Sequence, residues 1–329
     1  MPNWLGDVVM ATPILIDLRK RYPKASITAM CKAPLCEILK EDASIDELFC
    51  FKRPENDFLR RELRRSIIGK IVQGKYDLGI LLTNSFSSAW WFWQGKVKRR
   101  IGFKGNLRNW LLTDAVEFPN KKEHQVETYK RLLEPLGRAE SDTKPRLYVT
   151  EKEVAEAKEL LHQRGFEGKG KLLGMNPGAA YGPAKCWPAE RFKELAKLLL
   201  QRKDVWLVFF GDSSAGELIK EICRELPERA MNLAGVTSLR ELACLIKSLD
   251  LLVTNDSGPM HIAAAFDVPM VAFFGSTDEQ KTGPYGQSEA VLNKKVSCSP
   301  CFKRVCPIDF RCMKEIGVDE VFRRIEKLI

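Results

Sequence analysis

The segment Asn255–His261 carries residue types that suit binding of a phosphate group. It follows an apolar run predicted as a buried strand, Leu251–Thr254, and leads into a helix predicted to begin at Pro259. Gly258 allows a ligand to approach the backbone closely, and the aligned amides at a helix N-terminus favour an anion. The segment therefore predicts a phosphate site, and the alternative is an ordinary capped helix between two strands.

Four residues of this segment are candidates for contact with the anion. Asp256 and Ser257 are also the expected caps for the first amides of the helix. His261 lies in the first helical turn, where it either contacts phosphate or only packs. The candidates are Asp256, Ser257, Gly258 and His261.

A second candidate phosphate loop is Asn176–Pro188, Asn-Pro-Gly-Ala-Ala-Tyr-Gly-Pro-Ala-Lys-Cys-Trp-Pro. It follows a predicted strand and combines small residues and prolines with one lysine. Such a loop suits folding over a diphosphate, with Asn176 and Gly178 at its start and Lys185 as a point charge. The alternative is a surface loop in which Lys185 is merely solvated.

A carboxylate stands near the start of the chain in Asn3-Trp4-Leu5-Gly6-Asp7, just before an apolar helical pattern that ends before Pro23. A carboxylate at a helix N-terminus is usually a cap. If the site deprotonates an acceptor hydroxyl, however, it needs a base, and Asp7 is the candidate.

A glycine turn that opens a helix normally follows a strand, and only Met1 and Pro2 precede this one. A parallel sheet without that strand would leave strand edges unpaired. We therefore expect about six to eight further residues, mostly Val, Ile and Leu, to be encoded upstream.

Aromatic and basic residues are interleaved between Trp90 and Arg108. The run Trp90–Trp93 is followed by Lys96–Arg100, and no acidic residue occurs between Asp77 and Asp114. Such a stretch could stack on RNA or lie at a membrane interface. Because tryptophans at helical spacing are more often in a core, we expect about half of these aromatics to be buried.

Four cysteines near the C-terminus have the spacing C-x2-C-x4-C-x5-C and are Cys298, Cys301, Cys306 and Cys312. Four thiolates in so short a segment could bind zinc. The short spacings and the prolines among them favour reduced thiols in a rigid loop instead.

The composition is that of a globular protein, with 329 residues, 45% hydrophobic and 29% charged. No apolar run approaches the ~20 residues that span a bilayer, and the N-terminus has no basic region before an apolar core. We expect a cytosolic protein whose ten cysteines are mostly reduced or metal-bound and not a disulfide framework. The net charge of +10 suggests an anionic partner.

Short apolar strands alternate with helical patterns throughout the chain, which predicts parallel sheets covered on both faces. The fold class expected is α/β, with two Rossmann-like domains whose sheets face across a cleft. The predicted domains are residues 1–165 and 166–329, with the hinge at 165–171. The last helix is a candidate to pack back on the first domain.

Four motifs in this order resemble the lipopolysaccharide heptosyltransferases of glycosyltransferase family 9. They are NWLGDVVMATP, NPGAAYGPAKCWP, NDSGPMHIAAA and the CSPC segment with its two later cysteines. The resemblance covers nearly the whole chain and implies the GT-B fold. It implies inverting transfer of a second L-glycero-D-manno-heptose from ADP-heptose, bound by the C-terminal domain, to a lipid A–Kdo–heptose acceptor at the N-terminal domain.

The resemblance also implies roles for single residues. Asp7 would be the general base, and Lys185 would neutralise the donor's phosphates beside Asp256, Ser257 and Gly258. Glu217 falls roughly where the family places a ribose-binding acid. The remaining assigned positions are donor-binding Asn176, Gly178 and His261, and acceptor-binding Gly6, Arg99, Arg100 and Arg108.

No cofactor is expected, since the chain lacks an Asp-x-Asp metal-binding triplet. The resemblance implies a cytoplasmic enzyme, peripheral to the inner face of the inner membrane. One rival is a family 9 transferase for another heptose or core position. Another is a non-catalytic nucleic-acid-binding protein using the Trp90–Arg108 stretch, which would leave both phosphate loops unexplained. Mass spectrometry of lipid A–core from a deletion strain and an RNA pull-down separate these readings.

Overall fold

The computed structural model describes residues 1–52, 54, 56–137 and 141–329. Strands and helices alternate along the chain. The strands are β1 (Thr28–Lys32), β2 (Glu47–Phe51), β3 (Leu78–Leu81), β4 (Arg99–Phe103), β5 (Asp114–Val116), β6 (Lys171–Asn176), β7 (Val205–Phe209), β8 (Ala230–Asn232), β9 (Leu251–Asn255), β10 (Met270–Phe274) and β11 (Val291–Asn293).

The α-helices are α1 (Leu5–Met10), α2 (Thr12–Arg21), α3 (Asp57–Gly74), α4 (Phe86–Gln94), α5 (Gln125–Lys130), α6 (Glu151–His162), α7 (Ala189–Leu199), α8 (Gly216–Cys223), α9 (Leu239–Lys247), α10 (Gly258–Ala265), α11 (Glu279–Thr282), α12 (Arg311–Lys314) and α13 (Val318–Glu326). Short 3-10 helices cover Leu35–Leu39, Asn109–Leu111, Arg131–Leu136, Pro183–Lys185, Ser213–Ala215 and Ser288–Ala290.

The chain divides into two compact units, unit 1 (Met1–Pro145) and unit 2 (Arg146–Ile329). This boundary lies earlier than the predicted one at 165/166. Helix α6 accounts for the earlier boundary, because it packs on α9 of unit 2. Arg240 of α9 forms a bidentate ion pair with Glu153 of α6. The Gly-rich stretch that follows α6 leads into β6 and is not the junction between the units.

The parallel sheet of unit 1 is interrupted. Strand β1 pairs with β2, and β3, β4 and β5 form a separate three-stranded sheet, all with parallel register. The two sheets bury the apolar side of α3 and α4, with Ile67, Ile71 and Val97 in the core between them. The helix predicted from Val8 to Leu18 is two helices, since α1 ends at Met10 and α2 begins at Thr12 with Pro13 in its first turn.

Unit 2 contains one six-stranded sheet in the order β11-β10-β9-β6-β7-β8, with every pair parallel. The strand order reverses between β6 and β9, and ligands of such sheets bind at the carboxyl ends of strands at this switch point. The strands are buried on both faces, which explains why they are continuous apolar runs in the sequence. Burial of each large side chain contributes about 1.5–3 kcal/mol.

The last helix, α13, belongs to unit 2 and contacts α7 and β10. Val321 and Ile325 are fully buried in the core of that unit. The contacts described for α13 are thus with its own unit, and the expectation that the last helix packs back on the first domain stays a prediction. Its apolar positions recur three to four residues apart, which suits burial against any neighbour and does not identify which one.

One pair of cysteines departs from the expectation of reduced thiols. Cys36 and Cys50 form a disulfide, with their Cα atoms 5.9 Å apart. The other eight cysteines are free. In the part of the chain that the structure describes, no helix is long and apolar enough to cross a membrane.

Candidate active site

The carboxyl ends of β6 and β9 bring the two predicted phosphate loops of unit 2 together. Asn176, the last residue of β6, donates from Nδ2 to Ser257 Oγ over 2.7 Å and to Thr254 Oγ1 over 3.0 Å. Asn255 donates to the carbonyl oxygen of Pro177 over 2.7 Å. Segments far apart in the sequence are thus joined by buried amide side chains. These hydrogen bonds place the two predicted phosphate loops side by side at one edge of the sheet.

The ion pair between Lys185 and Asp256 is the centre of this site. Lys185 Nζ lies 2.5 Å from Asp256 Oδ2, and the two side chains are 12% and 3% exposed. Thr277 donates its hydroxyl to the same carboxylate oxygen over 2.6 Å. Since a lysine side chain has many rotamers, the buried carboxylate fixes the position of the ammonium group. Asp256 was predicted to line an anion site directly, and its negative charge instead holds the cation.

Two aromatic and basic side chains that the sequence reasoning missed complete the surroundings of Lys185. The ammonium lies 4.8 Å from the centre of the Tyr181 ring, and the Arg304 guanidinium carbon lies 5.4 Å from the same ring. The Tyr181 hydroxyl donates to the carbonyl oxygen of Phe302 over 2.7 Å. Tyr181 is in the predicted loop, but Arg304 comes from the cysteine segment, and no motif in the sequence links the two.

The loop that carries Lys185 is held by the cysteine segment. Ala184 donates its amide to the carbonyl oxygen of Arg304 over 3.0 Å. Gly182 has φ 147°, and a Cβ atom there would lie 2.6 Å from the same oxygen. Only glycine permits this approach. At the end of the loop, the fully buried Trp187 donates its amide to Asn255 Oδ1 over 2.8 Å.

Helix α10 begins at the centre of the site with its N-terminus at Ser257. The prediction that Asp256 or Ser257 caps this helix was wrong, because no side-chain cap bond forms and Ser257 instead accepts from Asn176. Gly258 is the first helical residue, and His261 is buried in the first turn. The first amides of a helix have no partner within it, so they are suited to an anion.

A buried hydroxyl stands at the carboxyl end of the neighbouring strand, β10. Ser276 is 2% exposed, and its Oγ has no hydrogen-bond partner among the described residues. The preceding Gly275 is tightly packed, since a Cβ atom there would lie 2.8 Å from Cys312 Sγ. A buried polar atom without a partner is rare in native proteins. The Ser276 hydroxyl is therefore a further hydrogen-bonding group at this edge of the sheet.

Glu217 is separate from these contacts. It lies in the first turn of α8 with a side chain 90% exposed and 3.7 Å from Lys220. Asp212 precedes it and caps the turn Ser213–Ala215 with bonds to the amides of Ser214 and Ala215. The predicted ribose-binding role stays a prediction.

The cysteine segment does not assemble a metal site. In the described portions of the chain, no group of three or more His, Cys, Asp or Glu side chains could hold a metal ion. Burial, followed by the charges of the neighbouring thiols, raises the pKa of Cys312. Cys301 and Cys306 are half-buried and Cys298 is exposed.

Asp7, in unit 1, is bound to a buried tyrosine. It lies in the first turn of α1, directly after Gly6, and its Oδ1 accepts the hydroxyl of Tyr129 over 2.9 Å. Burial, followed by the charge of Asp7, raises the pKa of Tyr129 well above its usual value, so the phenol stays protonated and donates. Helix α1 has no side-chain cap at Trp4. The side chain of Asp7 is oriented by Tyr129.

The basic residues predicted to bind an acceptor have internal partners in unit 1. Arg108 is fully buried and donates to the carbonyl oxygens of Phe103 and Thr83 and to Asn84 Oδ1. Its assignment to an acceptor site was wrong, because its guanidinium organises the turn after β4. A run of basic residues does not reveal such carbonyl partners.

Arg99 and Arg100 are half-buried and also bonded internally. Arg99 pairs with Asp114 over 2.7 Å, and Arg100 donates from Nε to the carbonyl oxygen of Leu111 over 2.7 Å. Both residues stabilise the join between β4 and β5. Lys98, which pairs with Asp77 at the surface, remains highly exposed.

The aromatic residues of the same stretch form a surface cluster, defined here as Phe86, Trp90, Trp93 and Trp110. Neighbouring ring centres are 5.0–6.3 Å apart. Trp110 is 62% exposed, and the adjacent Leu107 is 88% exposed at φ 56°. None of the four residues Trp90–Trp93 is fully buried, although Trp91 and Phe92 pack against the core. The expectation that half would be buried was too high.

The chain matches known proteins along most of its length. Residues 64–310 fit the model of glycosyltransferase family 9 (heptosyltransferase). The chain is 33% identical over 306 residues to the lipooligosaccharide heptosyltransferase 2 of Haemophilus influenzae, covering 88% of this chain and 86% of that protein. It is 33% identical over 300 residues to the lipopolysaccharide heptosyltransferase 2 of Salmonella typhimurium, with the same coverage.

A solved structure supports the same assignment. The ADP-heptose LPS heptosyltransferase II of E. coli superimposes with a TM-score of 0.83 at 27% identity, covering 99% of this chain and 96% of the other. Two Rossmann-like units with parallel sheets are the components of the GT-B fold, which confirms the predicted fold class. On the family model, the sequence identity and the shared fold, the chain belongs to glycosyltransferase family 9, the heptosyltransferases.

Proposed function

We propose that this protein transfers L-glycero-D-manno-heptose from ADP-heptose to the first heptose of the lipopolysaccharide inner core, heptosyl-Kdo2-lipid A, with inversion at the anomeric carbon. The observation that carries the proposal is the Lys185–Asp256 pair at the strand switch point of unit 2, with the α10 N-terminus beside it. The relatives named heptosyltransferase 2 support the acceptor assignment.

The donor's diphosphate is proposed to bind between Lys185 and α10. Its charge would meet a cation that is already positioned, together with amides that have no helical partner. Because the ammonium has three donor hydrogens, it can contact phosphate oxygen while it keeps its contact with Asp256. As the bond to the sugar breaks, negative charge grows on the leaving phosphate oxygen, and these groups stabilise it.

Asp7 is proposed to be the general base. Its carboxylate takes the proton of the acceptor hydroxyl while that oxygen attacks the anomeric carbon of the donor. The bond from that carbon to the β-phosphate oxygen breaks, and ADP leaves with the electron pair. A single displacement inverts the configuration. Tyr129 donates its hydroxyl to Oδ1 of Asp7 and so orients the carboxylate that takes the proton.

We propose that the surface aromatic cluster and Leu107 hold the protein at the cytoplasmic face of the inner membrane. Tryptophan rings are favoured at the headgroup level of a bilayer, and an exposed leucine can enter the acyl boundary. The stretch from residue 78 to residue 113 contains basic but no acidic residues, which suits anionic lipid. The acceptor is a lipid of that membrane, so attachment there would bring enzyme and acceptor together. This reading assigns no role to nucleic acid.

The alternative within the family is transfer to another core position. The chain is also 28% identical over 290 residues to the lipopolysaccharide heptosyltransferase 3 of E. coli K12. The higher identity to several heptosyltransferase 2 proteins favours the proposed position.

The test is transfer by the purified protein, with ADP-heptose as donor and lipid A–core from strains blocked at successive steps as acceptors. Mass spectrometry should show one added heptose on the acceptor that carries one heptose, and none on Kdo2-lipid A without heptose. Heptose on a later core intermediate alone would select the alternative position. No transfer to any of these acceptors, together with no ADP binding, would refute the proposal.

A further inference from the structure

The positive charge at the strand switch point of unit 2 is smaller than the negative charge of a diphosphate. Lys185 is paired with Asp256 over 2.5 Å, so this buried pair has no net charge. The N-terminus of α10 contributes about half a positive elementary charge. A sugar nucleotide carries a negative charge on each of its two phosphates, and further charge develops there as the sugar leaves. A diphosphate at this site therefore needs another cation beside Lys185.

Arg304 is a second cation beside the aromatic ring that Lys185 contacts. Lys185 Nζ lies 4.8 Å from the centre of the Tyr181 ring, and the Arg304 guanidinium carbon lies 5.4 Å from the same point. The distance between the two cations cannot exceed these two distances combined. A diphosphate with a charge-assisted hydrogen bond of about 2.8 Å at each end can span such a gap. Arg304 is thus close enough to bind the same diphosphate as Lys185.

The charge of Arg304 has no acidic partner among the described residues. Arg304 takes part in none of their ion pairs, and its side chain is exposed. Arg311 of the same segment pairs instead with Asp309 over 2.8 Å. A guanidinium that lies over an aromatic ring keeps the N–H groups at its edge available for a planar, bidentate contact. Phosphate oxygens match the geometry of that contact.

The backbone at Arg304 is held against the loop that carries Lys185. The carbonyl oxygen of Arg304 accepts the amide of Ala184 over 3.0 Å. Two residues earlier, the carbonyl oxygen of Phe302 accepts the hydroxyl of Tyr181 over 2.7 Å. A ligand therefore meets an arginine whose backbone is already fixed beside the loop. Its binding orders the side chain alone, which keeps the entropy cost small.

We propose that Arg304 binds the diphosphate of the donor together with Lys185, as the second cationic side chain of the site. This assignment rests on the proposed ADP-heptose donor. Arg304 offsets the negative charge that the neutral Lys185–Asp256 pair leaves uncompensated, both in the bound donor and in the ADP that leaves. The cysteine segment thereby contributes a ligand-binding side chain, in addition to the backbone contacts that hold the loop.

The experiment compares the variant Arg304→Gln with the matched control Arg311→Gln in the full chain. Both substitutions remove one positive charge from the same segment, but the charge of Arg311 is already paired with Asp309. Calorimetry gives the affinity of each chain for ADP and for adenosine, which lacks the phosphates. Thermal midpoints report on folding, and transfer assays at saturating donor give the KM of the acceptor.

The variant Arg304→Gln should bind ADP at least about tenfold more weakly, because it loses a hydrogen bond between charged groups. Its affinity for adenosine and its acceptor KM should be unchanged, since neither depends on the diphosphate contact. Its thermal midpoint should also be unchanged, because the Arg304 side chain is exposed. The control Arg311→Gln should bind ADP and adenosine as the original chain does.

Unchanged ADP affinity in Arg304→Gln, while the original chain binds ADP, would overturn the assignment. An equal loss in Arg311→Gln would overturn it as well, because the effect would then be one of overall charge. A parallel loss of adenosine binding with a lower thermal midpoint would show a structural role instead. A raised acceptor KM with unchanged ADP affinity would place Arg304 at the acceptor. If the original chain itself binds no ADP, the proposed function fails, and this assignment fails with it.

Discussion

Replacing Lys185 by methionine should separate the stability of unit 2 from its affinity for the donor. The substitution leaves the Asp256 carboxylate 3% exposed, and among the described residues Thr277 is the side chain that still donates to it. Removal of one partner of a buried ion pair typically costs about 3–5 kcal/mol, and the slight exposure of Lys185 suggests about 3 kcal/mol here. For a domain of this size, that corresponds to a decrease in the thermal midpoint of about 6–12 °C.

The double variant Lys185→Met with Asp256→Asn removes both charges and should recover most of that stability. ADP binding, measured by calorimetry, should be weakened by both variants, because neither has the cation that we propose to contact the diphosphate. Lys197→Met is the matched control. Lys197 pairs with Glu225 at the surface, where both side chains are about half exposed, so its loss should hardly change the thermal midpoint and should leave ADP binding unchanged.

Two results would refute this reasoning. If the double variant is as unstable as Lys185→Met, the two side chains do not act as a buried pair. If the double variant binds ADP as tightly as the original chain, the charge of Lys185 does not contribute to the donor site.

Three further predictions concern other parts of the chain. Asp7→Asn should lower kcat about 10²–10⁴-fold with unchanged ADP affinity in calorimetry, and near-normal turnover would place the base elsewhere. Glu153→Gln should destabilise unit 2 at pH 7. The hydrogen bond and ion pair with Arg240 lower the pKa of Glu153 from 4.5 to about 2, so the stability that the Glu153 carboxylate contributes is lost as the pH falls through this range. The thermal midpoints of the variant and the original chain should therefore converge near pH 2. Leu107→Asp should weaken sedimentation with anionic vesicles at least about tenfold without a change in thermal midpoint, and unchanged sedimentation would exclude this surface as the membrane contact.

Apolar character decided which strands could be predicted from the sequence. The strand predicted at Leu251–Thr254 is β9, and the strand predicted before Asn176 is β6. Both were recognised because they are buried on both faces and their apolar runs end at polar turns. Strand β4 was not recognised, since it begins with two arginines that continue the basic run from Lys96. The carbonyl and carboxylate groups that bind Arg99 and Arg100 come from other elements. The sequence around the two arginines therefore does not show that their charges have partners within the protein.

The contacts between residues of the candidate site also depend on elements that are distant in the sequence. Residue types and spacing identified both loops, and they identified Lys185 and Asp256 separately. The pairing of these two residues depends on the order of β6 and β9 in the sheet, which places the ends of both strands side by side. Arg304 was missed for a similar reason, because a contact between the cysteine segment and the ring of Tyr181 follows from tertiary structure alone.

The contact between the cysteine segment and the loop that carries Lys185 has a consequence for conformational entropy. Ordering the backbone of one residue costs about 1–2 kcal/mol, and glycine-containing loops lose the most freedom. Here Ala184 and Tyr181 are bonded to carbonyl oxygens of the distant segment, and Trp187 anchors the loop end in the core. The loop is therefore already ordered in the folded protein. A nucleotide that binds to it would not have to offset the entropy cost of ordering the loop. Loosening the segment should weaken nucleotide binding even where no contact to the nucleotide is removed.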